Sequence, residues 1–410
     1  MERVLITGMG ACTPLGITVD TFWNKLIRGE SGISKIESFE TDDYRTKIAG
    51  IVNSEELESH IEAEDKSIYY DRCVTLSIVS YREIFKQENY NVEDHSRKRV
   101  GVIIGTGSGN STTIEEQLFK YVYESKRVNP FAIPKAMFNS ISAFLSILFK
   151  AKEINFTVNT ACSAGNYALA LAYDYIKNNQ LDICITGGVD SSLTRGIFKG
   201  WDNLRVLSDR NSEPEKASRP FSKDRNGFVL SEGAGMVLLE SLKNAEERNA
   251  NVYAEVLGYG MSSDAFHITK PQLEGQVAAT QAAIKNNSLD INKINYISAH
   301  GTATYWNDLI ETQVIKEVFG PKANEINITG IKSSIGHTIG ASGTLALIST
   351  VKAINSGIIP PTINLDNPDP ECDLNYTPNK SKNIDVDISL VNAFGFGGSN
   401  VVVALKKFIN

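Results

Sequence analysis

Three short stretches of the 410-residue chain carry side chains suited to chemistry, each set among glycines and other small residues. TACSAG (160–165) leads from an apolar, strand-like run into a helix predicted to begin near Asn166. That places the Cys162 sulfur at a helix N-terminus, where free N–H groups and the helix dipole favour a thiolate. A buried structural cysteine is the other reading of the same residues. SAHGTAT (298–304) sets His300 at the carboxyl end of a predicted strand, the end at which α/β folds bind ligands. IKSSIGH (331–337) brings Lys332 and His337 to either side of a small-residue turn. Taken singly, each histidine also reads as a satisfied core or surface residue. Together, one cysteine and two imidazoles in glycine-rich turns suggest acyl transfer through a thioester. The sulfur would take an acyl group, and two imidazole N–H donors would hold another thioester carbonyl as it becomes an enolate.

The remaining candidates are weaker. NAFGFGGSN (392–400) permits close backbone approach, as in an anion or oxyanion loop. Neither it nor GTGSG (105–109) has the spacing and downstream acid of a dinucleotide loop, so no nicotinamide cofactor is expected. No His/Cys/Asp/Glu cluster has ligand spacing, so no metal is expected. Cys12, Cys73, Cys184 and Cys372 read as structural. His60 and His95 lie in charged stretches and receive no role, and His267 is intermediate.

The elements that must position these residues are strands ending in glycine, each followed by a helical pattern: VLITGMG (4–10), VGVIIGTGSG (100–109), ICITGGVD (183–190) and INYISAHGT (294–302). Their alternation implies an α/β fold. A weak internal repeat aligns 154–176 with 326–354 and 2–10 with 252–260. The simplest organisation is two similar halves, 1–250 and 251–410, with chemistry at their junction. The balance of 41 Lys+Arg against 48 Asp+Glu, net −7, and the lack of a basic block argue against nucleic-acid binding. No apolar run reaches a membrane span. The five scattered cysteines, with no CxxC, fit a reduced cytoplasmic protein better than a disulfide framework.

These motifs, with ITGMGACTPLG and ASRPFSKDRNGFVLSEGAG (217–235), occur in an order that resembles the β-ketoacyl-[acyl-carrier-protein] synthases of the thiolase superfamily. Synthase II and the type II polyketide ketosynthases are the most similar branches. The resemblance runs nearly end to end. It implies a five-layered αβαβα fold from two duplicated halves, a dimer, a Cys-His-His site and no cofactor, the substrates riding on the phosphopantetheine of acyl carrier protein. On these positions it implies Cys162 as acylated nucleophile and His300 and His337 as donors to the malonyl thioester. Backbone N–H groups of Cys162 and Phe396 would form the oxyanion hole, with Phe396 also a gate. Thr302 and Thr304 would contact the pantetheine arm, with Thr269 nearby. Lys332 would order the histidines, with Asp308 and Glu311 as candidate partners. Two histidines, not His plus Asn or His plus a second Cys, separate the chain from synthase III and from thiolase proper.

The departures from synthase II concern substrate. An acid that pairs with the lysine is replaced by Ala346. Ser108 stands where a larger residue borders the acyl tunnel, and Ile197-Phe198-Lys199-Gly200-Trp201 makes the opposite wall bulkier. Basic residues of the carrier-docking face are replaced around Ile68-Tyr69, leaving Lys66, Arg72 and Arg205 as docking charges. A secondary-metabolite ketosynthase and a diverged fatty-acid enzyme both fit. The partner is an acyl carrier protein, within a homodimer or a heterodimer with a chain-length-factor-like chain. The alternative functions are such a non-condensing partner, or a malonyl-carrier decarboxylase. Both typically lack the cysteine that this chain keeps.

Overall fold

The computed structural model describes residues 2–63, 70–88, 90 and 98–409. Lys66, Ile68, Tyr69 and His95 lie outside them. Ten strands form the main sheet. The first five are β1 (Val4–Cys12), β2 (Val100–Gly105), β3 (Asn155–Val158), β4 (Ile183–Asp190) and β5 (Gly233–Ser241). The second five are β6 (Ala254–Ser263), β7 (Ile294–Ser298), β8 (Asn327–Thr329), β9 (Ile388–Gly395) and β10 (Ser399–Lys406).

The first half runs β3-β2-β4-β5-β1 and the second β8-β7-β9-β10-β6. Position for position these are one topology. In each half the third, second and fourth strands are parallel, and the fifth and first add antiparallel. A short antiparallel pairing of Val4–Ile6 with Ala254–Val256 joins the halves. The expected likeness of 2–10 to 252–260 is therefore a likeness of β1 to β6.

Eight helices complete the frame used below: α1 (Arg72–Glu88), α2 (Ser111–Val122), α3 (Ser140–Leu148), α4 (Ala164–Lys177), α5 (Arg195–Asn203), α6 (Leu273–Lys285), α7 (Tyr305–Phe319) and α8 (Ser342–Ser356). α4 and α8 pack on each other and each touches strands of both halves, so they form the central layer. α1 and α3 cover the outer face of the first half, α6 and α7 that of the second. The result is five layers, α/β/α/β/α, as expected. α8 is buried around almost its whole circumference, which suits SGTLALISTVKAI, with small and apolar residues on every face. The central core joins Leu169, Ala172 and Ile176 of α4 to Leu345, Ile348 and Val351 of α8, and both to strand residues such as Ile6 and Val403. Among the described residues no helix is long and apolar enough to cross a membrane.

Candidate active site

The repeat in the sequence is a repeat of turn geometry. After β3 a 3-10 turn, Ala161–Ser163, leads into α4, and after β8 the turn Ile339–Ala341 leads into α8. Cys162 sits inside the first of these turns, one step before the helix starts. Ala161 holds φ +51°, a left-handed conformation that costs a non-glycine residue about 1–2 kcal/mol. Such strain persists where the surroundings over-determine it.

The main surrounding element here is the end of β9. A Cβ on Gly395 would lie 2.8 Å from Thr160 O and 3.0 Å from Ser163 Oγ, so only glycine lets the two turns meet. That contact presents the Phe396 N–H to the Cys162 sulfur. Burial pushes the Cys162 thiol up to about 11, while Lys332 and the backbone N–H groups of Phe396 and Cys162 draw it down. The sulfur is therefore a buried thiol among donors, and those donors suit an oxygen that gains charge beside it.

His300 follows β7 in a turn fixed by carboxylates. Glu311 of α7 accepts N–H bonds from His300 (2.7 Å) and Gly301 (2.8 Å), and Asp308 accepts from Thr302 N (3.0 Å). His337 is pinned by its backbone to the 229–231 segment: its N–H donates to Val229 O (2.7 Å), and Ser231 N donates to His337 O (3.0 Å). The two imidazoles stand 5.5 Å apart, centre to centre, at 84°. Phe394 flanks His300 at 5.8 Å and Phe228 flanks His337 at 5.1 Å.

Hydrogen bonding sets both tautomers. Ile339 N–H, which can only donate, reaches His337 Nδ1 at 3.1 Å, and Ser342 Oγ lies 2.9 Å from the same nitrogen. The His337 proton must then sit on Nε2. Lys332 Nζ lies 3.4 Å from His300 Nδ1 and donates to His300 O at 2.5 Å, which leaves His300 likewise protonated on Nε2. Burial first, and then the Lys332 charge, holds both histidines well below the ordinary imidazole range. They are neutral N–H donors at physiological pH.

Lys332 is itself buried, which lowers it to about 8 against the pull of Glu311, Cys162 and Asp308. Ala346 is packed in the central core. Among the described residues no carboxylate lies within ion-pair distance of Lys332. Glu311 acts on it at longer range while bonding the His300 turn and the Asn392 amide (3.0 Å).

One cavity of about 480 Å³ joins Cys162, His300 and His337 to the surface. Thr269, Thr302, Thr304, Trp201 and Phe396 line it. Thr302 and Thr304 hydroxyls are 2.8 Å apart, and Trp201 packs 6.0 Å from Phe396. Two expected tunnel residues do not line it. Ser108 sits in the turn after β2, its N–H donating to Asp190, and Ile197 lies in α5, its N–H held by Glu115. Arg72 is not a free docking charge either. It pairs with Glu232 at 2.5 Å, a carboxylate that is only 2% exposed and would otherwise be an uncompensated buried charge. Arg205 is exposed at the cavity mouth.

Sequence reasoning missed two residues. Ser342 is one. Asp190 is the other: its Oδ2 accepts from Gly107 N (2.7 Å) and Gly340 N (2.6 Å), tying the first half to the turn that follows His337. Its position at the end of ICITGGVD, a strand terminus, was the available signal. No group of residues suited to a metal ion occurs among those described.

The comparisons with known proteins agree with this geometry. The model of the β-ketoacyl synthase N-terminal domain matches residues 1–245, and that of the C-terminal domain matches 253–366. The chain is 38% identical to 3-oxoacyl-[acyl-carrier-protein] synthase 2 of Synechocystis sp., covering 99% of this chain and 98% of that one. It is 37% identical to the enzyme of the same name from Staphylococcus aureus, with 99% of each covered. Among solved structures, the ishigamide ketosynthase/chain length factor superposes with a TM-score of 0.93 at 31% identity over 100% of both chains. A type II polyketide ketosynthase in complex with its acyl-carrier protein gives 0.92 at 29% identity, covering 99% of this chain and 100% of that one. With both domain models matched in order and its relatives aligned end to end, the chain belongs to the β-ketoacyl synthase family.

Proposed function

We propose that this chain is a condensing acyltransferase: it takes an acyl group from an acyl carrier protein onto Cys162 and joins it to a malonyl unit with loss of carbon dioxide. One observation carries the reading: two neutral imidazoles, both protonated on Nε2, share a cavity with a cysteine flanked by two backbone donors. In the first step the Cys162 sulfur attacks the acyl thioester carbonyl and the carrier thiol leaves with the cysteine proton. The Cys162 and Phe396 N–H groups hold the oxyanion. In the second, malonyl-carrier binds with its thioester oxygen between the Nε2–H groups of His300 and His337. Carbon dioxide departs, and its bonding pair becomes the enolate that these donors stabilise. The enolate carbon then attacks the acyl-cysteine carbonyl, and collapse returns the sulfur as a thiol once it regains a proton. Lys332 acts through His300, and Glu311 and Asp308 through the backbone of the His300 turn. Thr302, Thr304 and Thr269 fit the amide-bearing arm, and Trp201 with Phe396 closes the acyl end.

The same reading covers organisation. The halves 1–250 and 251–410 are duplicated units that place cysteine and histidines on opposite sides of one cavity. β3 is an open sheet edge, and α2 beside it exposes Ile114, Leu118, Phe119, Tyr121 and Val122. We assign that surface to a second ketosynthase-like subunit, identical or of the chain-length-factor type. Five free, buried cysteines suit a reducing cytoplasm.

The test is product analysis with purified protein, acyl-carrier and malonyl-carrier. A β-ketoacyl product two carbons longer, formed with carbon dioxide release, is expected. Carbon dioxide without condensation would instead mean a decarboxylase, and neither product would mean a non-condensing partner. A panel of acyl donors then divides the pathways. Saturated chains of all lengths mark fatty-acid elongation, and short or unsaturated chains alone mark polyketide or polyene assembly.

A further inference from the structure

Five large apolar side chains stand exposed around the cavity mouth: Leu204 (54%), Phe266 (65%), Ile268 (70%), Tyr305 (50%) and Trp306 (57%). Ile268, Tyr305 and Trp306 reach into the cavity wall, while Leu204 and Phe266 adjoin the lining residues Arg205 and His267 in the chain. Exposed apolar groups gathered at one opening mark an interaction surface, not scattered surface noise.

The aromatic pair is held rigid from below. Tyr305 and Trp306 meet edge to face at 5.0 Å. The Arg225 guanidinium lies 5.3 Å from the Tyr305 ring and donates to Thr304 O (3.2 Å) and Tyr305 O (3.1 Å). Its own charge is met by Asp369 at 2.5 Å and Asp308 at 3.8 Å. Rigid aromatic area gives up little rotamer freedom on binding. Two cations, Arg205 and Lys270, stand at the same mouth, and neither forms an ion pair among the described residues.

We propose that this rim is the seat of the acyl carrier protein, that Trp306 and Tyr305 are its anchors, and that apolar contact outweighs charge in holding the carrier. The inference rests on the function proposed above. A tethered acyl group can reach Cys162 only while its carrier sits at the mouth, so the carrier must cover these side chains. The fitting partner presents an apolar patch beside its tether, flanked by acidic residues that Arg205 and Lys270 attract.

The experiment compares one acyl group delivered by carrier protein and by free pantetheine thioester. Trp306→Ala should raise KM for the carrier-bound donor about tenfold or more, the effect of an interface anchor, with kcat changed less than about twofold. Leu204→Ser and Phe266→Ser, which lie outside the cavity wall, should raise the carrier KM severalfold and leave pantetheine-thioester kinetics unchanged. For the wild type, raising salt from low to physiological strength should move the carrier KM less than Trp306→Ala does. The inference is overturned if the three variants keep the wild-type carrier KM, if Leu204→Ser and Phe266→Ser raise KM equally for both donors, or if salt outweighs the tryptophan. Failure of both donors to acylate the wild type would remove the proposed function itself.

Discussion

Replacing Ser342 by alanine isolates the tautomer control on which the enolate step depends. His337 Nδ1 has two neighbours able to donate, Ile339 N–H at 3.1 Å and Ser342 Oγ at 2.9 Å, and Thr338 Oγ1 lies 3.1 Å from Ser342 Oγ. The consistent arrangement passes hydrogen bonds from Thr338 to Ser342 to His337. Ser342→Ala removes one neutral buried hydrogen bond, worth about 0.5–1.5 kcal/mol. If that stabilisation is fully expressed in the transition state, decarboxylation slows roughly 2- to 13-fold. The Ile339 N–H remains and keeps the proton on Nε2, so the loss stays well short of the about 100-fold cost of deleting a whole oxyanion donor. The pH profile should move as well. Ser342 stabilises neutral His337, whose titration already lies well below the ordinary imidazole range. Removing it raises that titration, so the acid limb of the rate shifts to higher pH. The assay is carbon dioxide release from saturating malonyl-carrier across the acid range, beside a thermal melt. An unchanged rate and an unmoved limb would refute the role of Ser342. A loss beyond 100-fold in a folded variant would refute the backbone as keeper of the tautomer.

Three further outcomes follow from the same geometry. Cys162→Ala should abolish condensation yet still release carbon dioxide from malonyl-carrier, measured by mass spectrometry and gas release. Gly395→Ala forces a methyl toward Thr160 O and Ser163 Oγ, so it should displace the Phe396 N–H and slow acyl loading at least about tenfold in a folded protein, read by stopped-time intact mass. Lys332 titrates at about 8, below its ordinary 10.5, so the unfolded chain binds more protons between those values. Wild-type stability should therefore rise relative to Lys332→Met across that window, in melts taken at successive pH.

Most of the active site was legible because its residues sit in glycine-rich turns at strand ends, where local sequence dictates local backbone. Cys162, His300, Lys332 and His337 all fall there. The duplicated topology was legible for the same reason: the turn before α4 and the turn before α8 share small residues that only a tight turn requires. What escaped were relations between distant segments. Nothing near Arg72 announces that Glu232 will claim it across 160 positions, turning an expected docking charge into an internal pair. Ser108 and Ile197 were assigned to the tunnel wall by family position, but Asp190 and Glu115 hold their backbones away from the cavity. Ser342 looked like one more small residue of a turn. Its hydroxyl gains meaning only because the turn curls back onto His337.

The central claim is that Cys162 carries the acyl group, and intact-mass spectrometry with peptide mapping tests it most directly. After incubation with acyl-carrier thioester, one acyl adduct per chain should appear on the peptide holding Cys162. It should vanish in Cys162→Ala, and it should discharge as β-ketoacyl product when malonyl-carrier is added. An adduct on another residue, or condensation that persists in Cys162→Ala, would contradict the account.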